Sequence, residues 1–157
     1  MIERLLKYIV YICKYTNRHR TITNRKGNGP YLERYYVFLK KRKRFPINFV
    51  IHEFKESDED DLHDHPWWFF TFIIKGQYYE HTPKGCFLRK PFQFRFSKAT
   101  DLHRVELINE ESVWTFFMMG PRVREWGFIH NNKWFEWKKY VENMRKNTLQ
   151  KDKKNIS

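Results

Sequence analysis

The chain has 157 residues, which is enough for one domain with terminal extensions but not for two domains. Aromatic residues make up 19% of it, as 15 Phe, 9 Tyr and 6 Trp, and supply enough apolar surface for a core. The 2 cysteines, Cys13 and Cys86, form no Cys-x-x-Cys pair and exclude a disulfide framework. We therefore expect a reducing, intracellular setting and a cytoplasmic protein.

The net charge of +13 is concentrated at the two ends of the chain. Residues 1–44 carry 13 Lys and Arg against 2 Asp and Glu, and residues 133–157 carry 8 against 3. Residues 45–132 between them are slightly acidic, with 10 basic residues against 13 acidic ones. The basic flanks predict weak electrostatic contact with nucleic acid or an anionic membrane, separate from any site in the middle of the chain.

The first predicted element is an amphipathic helix over residues 2–16, in which apolar residues recur at helical spacing. We expect it to pack on the domain, with docking on a membrane surface as the alternative. Its apolar stretch is interrupted by Lys7, lacks a signal-peptide cleavage site and is too short to span a bilayer. Residues 17–30 are polar, contain glycine and proline, and are typical of a linker.

From residue 31 the chain changes to short β-prone segments separated by turn residues. Lys75-Gly76 and Asn109-Glu110 are predicted as hairpin turns, and residues 56–61 as a solvated acidic turn. Many short strands at regular spacing favour an antiparallel sandwich or barrel. A second helix is predicted over residues 134–147, followed by a disordered tail. The predicted strands cover residues 33–39, 47–54, 63–74, 77–82, 86–89, 92–96, 103–108, 113–119 and 125–129, with a basic loop at residues 40–44 between the first two.

Three histidines indicate a metal site. His63 and His65 form a His-x-His pair, and side chains two residues apart on a β-strand share one face. His103 opens a later predicted strand and would complete a facial set of three neutral nitrogen ligands. Such a set suits iron, zinc, nickel or copper. The alternative is that these histidines pack in the core or at its rim without a metal.

The same hairpin prediction assigns a position to one carboxylate. A turn at Lys75-Gly76 would pair Thr71 with Glu80 and place Glu80 on the face of the predicted histidine ligands. A carboxylate buried there needs a partner. Glu80 would support a ligating histidine, bind the metal directly, or pair with an interior arginine such as Arg89 or Arg95.

The His63-x-His65 pair, followed by Gly76, resembles the first motif of the cupin superfamily, and His103 falls where the second motif places its histidine. The resemblance covers residues 45–120 and implies a jelly-roll β-barrel with the metal near one mouth. Phe69 stands where the first motif has a glutamate. This departure implies a three-histidine site, similar to that of thiol dioxygenases within the superfamily.

A narrower resemblance covers residues 31–140. These segments are similar to a family of small cupins found in phages, large DNA viruses and bacteria, which implies a viral or phage protein acting inside an infected host cell. The segments are Tyr31-Leu32-Glu33-Arg34-Tyr35, Ser57-Asp58-Glu59-Asp60, Leu62-His63-Asp64-His65-Pro66-Trp67, Gly76-x-Tyr78-x-Glu80-His81, Asp101-Leu102-His103-Arg104-Val105-Glu106-Leu107, Trp114-Thr115, Gly120-Pro121-Arg122-x-Arg124-x-Trp126-Gly127-Phe128 and Trp137-x-x-Tyr140.

We therefore predict an all-β cupin jelly-roll barrel with an N-terminal and a C-terminal flanking helix. The predicted division is a basic helix and linker over residues 1–30, the barrel over residues 31–130, a helix packed on it over residues 131–147 and a basic tail over residues 148–157. Pairing of exposed sheet edges would give a homodimer.

The predicted function is that of a metal-dependent enzyme of the non-haem Fe(II) oxygenase class, with zinc or nickel as alternative metals. Neutral ligands leave the full charge on the metal, so we expect a small anionic substrate. A sugar isomerase or epimerase and a non-catalytic binding module with basic flanks are the alternatives. The candidate catalytic residue is Glu80, and the candidate substrate-binding residues are Trp67, Tyr78, Arg89 and Arg95.

Overall fold

The computed structural model describes residues 1–24, 29–40, 45–59, 61–109 and 111–154. Most of the predicted basic loop, at residues 41–44, lies outside these ranges. Within them the chain forms two helices, α1 (Ile2–Tyr15) and α2 (Trp137–Lys154). The strands in the same ranges are β1 (His19–Thr23), β2 (Pro30–Tyr36), β3 (Asn48–Phe54), β4 (Phe69–Lys75), β5 (Tyr78–Thr82), β6 (Gly85–Arg89), β7 (Phe94–Ser97), β8 (Arg104–Leu107), β9 (Val113–Met119), β10 (Gly127–His130) and β11 (Lys133–Glu136).

The strands pair antiparallel in three sheets. A six-stranded sheet has the order β1-β2-β3-β9-β4-β7, a three-stranded sheet has the order β6-β5-β8, and β10 pairs with β11. The two larger sheets share a core, because Ile73 of β4 and Val113 of β9 pack with Tyr78 of β5 and Val105 of β8. The protein is mostly β, as predicted, but the ladders of the described residues form packed sheets and do not close into one continuous barrel.

Strand alternation decides which side chains line the space between the sheets. Along β9, Val113, Thr115, Phe117 and Met119 are buried, whereas the residues between them are partly exposed. Phe117 stands beside Val50 of β3 on the same face. The interior surface is therefore mostly apolar along β9, with Thr115 as a polar residue among apolar ones.

Helix α1 covers the outer face of the six-stranded sheet. Its Leu6 and Cys13 are only 6% and 2% exposed, and they pack with Tyr35 of β2 and Ile51 of β3. The burial of this apolar helix face stabilises the N-terminal part of the chain on the sheet. Among the residues the structure describes, no helix is long and apolar enough to cross a bilayer.

The predicted hairpin at Lys75-Gly76 is wrong. Strand β4 pairs with β7 and β9, whereas β5 pairs with β6 and β8, so the chain crosses between sheets at Gly76. Gly76 has a φ of +81°, and a Cβ there would lie 2.9 Å from the carbonyl oxygen of Ser112. The glycine is needed for this backbone conformation and close approach, not for a two-residue hairpin.

The predicted hairpin at Asn109-Glu110 is also wrong, because strands β8 and β9 lie in different sheets. Residue 110 itself lies outside the described ranges.

Two strands are missing from the sequence prediction. Strand β1 lies in the predicted linker and pairs with β2, and β11 overlaps the start of the predicted second helix. Most residues of β1 are exposed, as is usual for an edge strand, so its polar composition gives little sign of a strand. Helix α2 begins at Trp137 and continues to Lys154, beyond the predicted end at residue 147.

The ribbon of β10 and β11 depends on a glycine. A Cβ at Gly127 would lie 1.9 Å from the backbone carbonyl oxygen of Phe135. We expect Gly127→Ala to lower the free energy of unfolding by about 2 kcal/mol or more, since backbone must move. The control is Gly29→Ala, whose Cβ would meet the flexible end of Glu56 at 3.1 Å and should change stability by less than about 1 kcal/mol. Urea unfolding measures both, and equal losses in the two variants would contradict the steric argument.

Candidate metal centre

The structure brings His63, His65 and His103 together. One ring nitrogen from each lies within 4.8 Å of the others, and Nε2 of His65 is 2.8 Å from Nε2 of His103. The ring centroids of the three pairs are separated by 4.9 to 5.1 Å. This arrangement of three imidazoles fits a site for one metal ion.

The sequence analysis placed the histidine pair on a regular strand, and this prediction is wrong. Strand β4 begins at Phe69, and His63 instead forms an isolated bridge in which its N–H donates to the carbonyl of His103 at 2.9 Å and the reverse bond is 3.0 Å. The N–H of His65 donates to the carbonyl of Ala99 at 3.0 Å. Backbone hydrogen bonds between the segments before β4 and β8, not strand parity alone, hold the pair beside the third histidine.

Glu80 orients one of these imidazoles. Its side chain is 2% exposed, and Oε1 accepts a hydrogen bond of 3.0 Å from Nδ1 of His103. A carboxylate accepts only from a protonated ring nitrogen, so the proton of neutral His103 lies on Nδ1 and the lone pair lies on Nε2. That lone pair points to the same place as Nε2 of His65. With its proton on Nδ1, His103 is in the tautomer that can bind a metal through Nε2.

The charge of Glu80 is balanced by two arginines. Oε2 accepts from Nε of Arg89 at 2.8 Å, and Arg95 forms a salt bridge with Oε1. Glu80 therefore lies inside the protein, as predicted, although the predicted pairing with Thr71 is wrong, since Thr71 pairs with Arg95 and Phe117. With both oxygens engaged, Glu80 acts on the site through His103.

The acidic segment before the histidines is structural, contrary to the prediction of a solvated turn. Asp58 accepts a hydrogen bond of 2.6 Å from the backbone N–H of Val105, and its Oδ2 lies 3.9 Å from Nδ1 of His63. Asp61 accepts a hydrogen bond from the hydroxyl of Tyr140 and thereby ties this segment to α2. The sequence signal for these contacts was only a run of acidic residues, which is equally common on solvated turns.

Asp64, between the two histidines, is a further residue that the sequence analysis missed. It is 3% exposed, accepts from the backbone N–H of Gly127 at 2.7 Å, and forms a salt bridge with Arg124. It also accepts from Nε1 of Trp134 at 3.1 Å. These bonds anchor the histidine loop to the C-terminal ribbon.

Burial keeps two of the candidate ligands, His65 and His103, neutral. The pKa of His103 is lowered to about 4, chiefly by burial. The pKa of His65 is held well below its ordinary value by burial first and then by the neighbouring histidines. A neutral imidazole is the form that coordinates a metal, so these residues offer ligand nitrogens at neutral pH.

A cavity of about 650 Å³ opens beside the Glu80 cluster. Tyr78, Arg89 and Arg95, three of the four predicted substrate-binding residues, line it together with Phe92 and other residues of the loop before β7. None of the three histidines lines this cavity. The two arginines contact both the cavity and Glu80, and thus connect it to His103. Trp67, the fourth predicted residue, packs on a core cluster that contains Phe69 and Phe117 instead.

The low pKa of His103 predicts a pH dependence of stability. Its pKa is about 4 in the folded chain against an ordinary 6.5, so between these values the unfolded state binds more protons. This contribution is complete above pH 6.5 and is lost as the pH falls towards 4, by about 3 kcal/mol in total. Urea unfolding of the metal-free protein across this range measures it, and His103→Gln should show a shallower pH dependence. An equal slope in both proteins would contradict the assignment.

No protein-family model matches the chain, and no curated protein matches its sequence. Solved structures do resemble it. A cupin-2 domain, Rru_A2000 from Rhodospirillum rubrum, is 11% identical, with 72% of this chain and 75% of that chain covered at a TM-score of 0.58. The polyketide cyclase RemF from Streptomyces resistomycificus is 9% identical, with 71% and 79% covered at a TM-score of 0.56.

A third similar structure is that of Fe(II) HppE, which is 11% identical at a TM-score of 0.52. The match covers 66% of this chain but only 57% of the HppE chain. At such identities the similarity shows the fold alone. The chain therefore has the fold of a cupin domain, with three histidines grouped between its sheets.

Proposed function

We propose that the chain is a metal-dependent enzyme acting on a small molecule, with Fe(II) held by His63, His65 and His103 in an oxygenase-like site. The observation that carries the proposal is the hydrogen bond from Nδ1 of His103 to Glu80, because it leaves the Nε2 lone pair beside Nε2 of His65. Three neutral imidazoles occupy only part of an iron coordination sphere, so positions remain for substrate and dioxygen.

When bound, the ferrous ion supplies the one-electron and dioxygen chemistry. The residues around it keep the site ordered and dry. Glu80 holds the proton on Nδ1 of His103, and the rings of Phe69 and Trp126 lie against His65 with centroid separations of 4.6 and 6.4 Å. This aromatic wall would exclude bulk water from the reacting groups.

The proposed substrate is small and anionic, because three neutral ligands leave the charge of the ion uncompensated. Tyr78, Arg89 and Arg95 on the cavity wall are proposed to contact it, and Trp67 to support the aromatic wall. The proposed role of Glu80 is to position His103, since its oxygens are engaged by three side chains. The likeness to an Fe(II) protein supports iron, with zinc or nickel as the alternatives.

The second candidate is a non-oxidative reaction, such as isomerisation or epimerisation, at the same three-histidine centre. The observation that favours it is the likeness to RemF, which is called a polyketide cyclase. A non-catalytic binding module is the third candidate.

We also propose that the chain belongs to the narrower phage and viral cupin family and acts inside a host cell. The basic flanks are proposed to make salt-sensitive contacts with nucleic acid or anionic lipid.

Metal content tests the ligand assignment. The untagged protein should carry close to one divalent metal ion per chain, and His65→Ala should lose most of it, because one of three ligands is removed. Elemental analysis after dialysis measures both. The matched control is His81→Ala, since His81 lies on β5 and contacts Glu106 at 2.7 Å, away from the three histidines. Equal metal content in all three proteins would overturn the assignment.

Nitric oxide binding separates the oxygenase from the other candidates. Nitric oxide is a surrogate for dioxygen, so the ferrous protein should give the electron paramagnetic resonance signal of a high-spin iron–nitric oxide complex, which His103→Ala should lack. It should also consume oxygen with a thiol or carboxylate substrate. If the protein retains iron but gives no such signal, the oxygenase proposal fails and the non-oxidative candidate takes its place.

A further inference from the structure

A second set of polar side chains crosses the interior face of the six-stranded sheet. Arg34 of β2 stands directly opposite His52 of β3, and His52 stands directly opposite Thr115 of β9. The next residue pair on this face, Tyr36 and Val50, belongs to the buried core. Because side chains alternate along a strand, Arg34, His52 and Thr115 share the interior face with that core. We call these three residues the polar row.

The polar row is buried without internal hydrogen-bond partners for four of its atoms. His52 is 2% exposed and Thr115 is 0% exposed. Nδ1 and Nε2 of His52, Oγ1 of Thr115 and Nε of Arg34 are all buried with no hydrogen bond. Buried polar groups are nearly always paired with protein, ordered water or a ligand, so these atoms need partners that the described residues do not supply.

The charge at the polar row is positive and uncompensated. Among the described residues, no carboxylate oxygen lies within 4.0 Å of the Arg34 guanidinium, which hydrogen-bonds with the side chain of Tyr36. Arg20 of β1, which is exposed, stands directly opposite Arg34. Two cations facing each other across a strand pair repel, and an anion between them would relieve that repulsion. Arg20 and Arg34 thus place two cations side by side at the edge of the sheet.

The polar row lies on the same interior as the three histidines. The ring of His52 is 4.7 Å from that of Phe117, Phe117 stacks on Phe69 at 4.9 Å, and Phe69 contacts His65 at 4.6 Å, all between centroids. A ligand held at the row therefore lies within electrostatic reach of the candidate metal ligands.

We propose that Arg34, His52 and Thr115 form an oxyanion-binding site that holds the acidic end of the substrate, while the rest of the substrate extends towards the three histidines. The orientation of that far end rests on the proposed function, whereas the anion site does not. Nε of Arg34, one ring N–H of His52 and the hydroxyl of Thr115 supply donors of the kind that a carboxylate or a phosphate group accepts. The substrate class is a small organic acid or phosphate ester.

The experiment titrates the full chain, treated with chelator to remove metal, with sodium phosphate and with sodium succinate. Thermal unfolding is recorded at neutral pH and at one ionic strength held with sodium chloride. The wild type should be stabilised in a saturable way by at least one of the two anions, and the stronger of them identifies the chemistry of the acidic group. In Arg34→Met the apparent affinity should fall by about tenfold or more.

Two variants serve as matched controls. Arg122→Met removes an exposed arginine that pairs with Glu125 at 2.6 Å, and its anion affinity should stay within about twofold of the wild type. Thr115→Val keeps the shape of the side chain and removes only the hydroxyl, so it should weaken binding by a smaller factor than Arg34→Met. If Arg34→Met fails to fold, Thr115→Val and Arg34→Lys provide the same comparison.

His65→Ala distinguishes the anion site from the metal site. It should bind the anion as the wild type does, and Arg34→Met should retain the metal content of the wild type. The anion proposal is overturned if neither anion stabilises the protein, or if Arg34→Met and Thr115→Val bind as tightly as the wild type. Failure of the metal assignment would leave these titrations unchanged, so the two proposals fail separately.

Discussion

The buried carboxylate of Glu80 is the interaction on which the candidate centre depends. It accepts from Nδ1 of His103 and forms salt bridges with Arg89 and Arg95, and its side chain is 2% exposed. A carboxylate in such surroundings is tolerated only with partners, and here those partners connect β5, β6, β7 and the start of β8. The same contacts that make its burial possible also fix the proton of His103 on the nitrogen that faces away from the other two histidines.

The sequence was sufficient for the grouping of the three histidines and for the class of fold, but not for the way in which the strands pair. The order and approximate bounds of most strands follow from local patterns, and the three histidines follow from their spacing. The partner of each strand does not, because pairing depends on contacts between distant segments. The predicted hairpin at Lys75-Gly76 failed for this reason, since Gly76 serves a crossing between sheets with a backbone approach to Ser112.

Glu80 shows how a correct position can follow from a wrong argument. The predicted pairing with Thr71 placed it inside, and it is inside, but its actual cross-strand partners are Phe87 of β6 and Val105 of β8. The buried contacts of Asp58 and Asp64 were not predictable from one sequence, because acidic residues in turns are usually solvated. Their burial follows from backbone N–H groups of Val105 and Gly127 that need acceptors.

The interior holds two arginine systems with different charge balance. Arg89 and Arg95 share the carboxylate of Glu80, whereas Arg34 has no such partner among the described residues and stands opposite His52, which in turn stands opposite Thr115. Arg34 therefore carries a positive charge at the interior face that no carboxylate of the described residues balances, whereas Glu80 balances Arg89 and Arg95. An anionic small molecule is the ligand that this electrostatic pattern accommodates best.

The most direct test of this account is the tautomer of His103 in the metal-free protein at neutral pH. Long-range proton–nitrogen correlation NMR distinguishes a protonated Nδ1 from a protonated Nε2 in a neutral imidazole. The account predicts a neutral ring with the proton on Nδ1 and a lone pair, not a proton, on Nε2. A proton on Nε2, or a charged imidazolium ring, would mean that Glu80 does not prepare His103 as a metal ligand and would contradict the central claim.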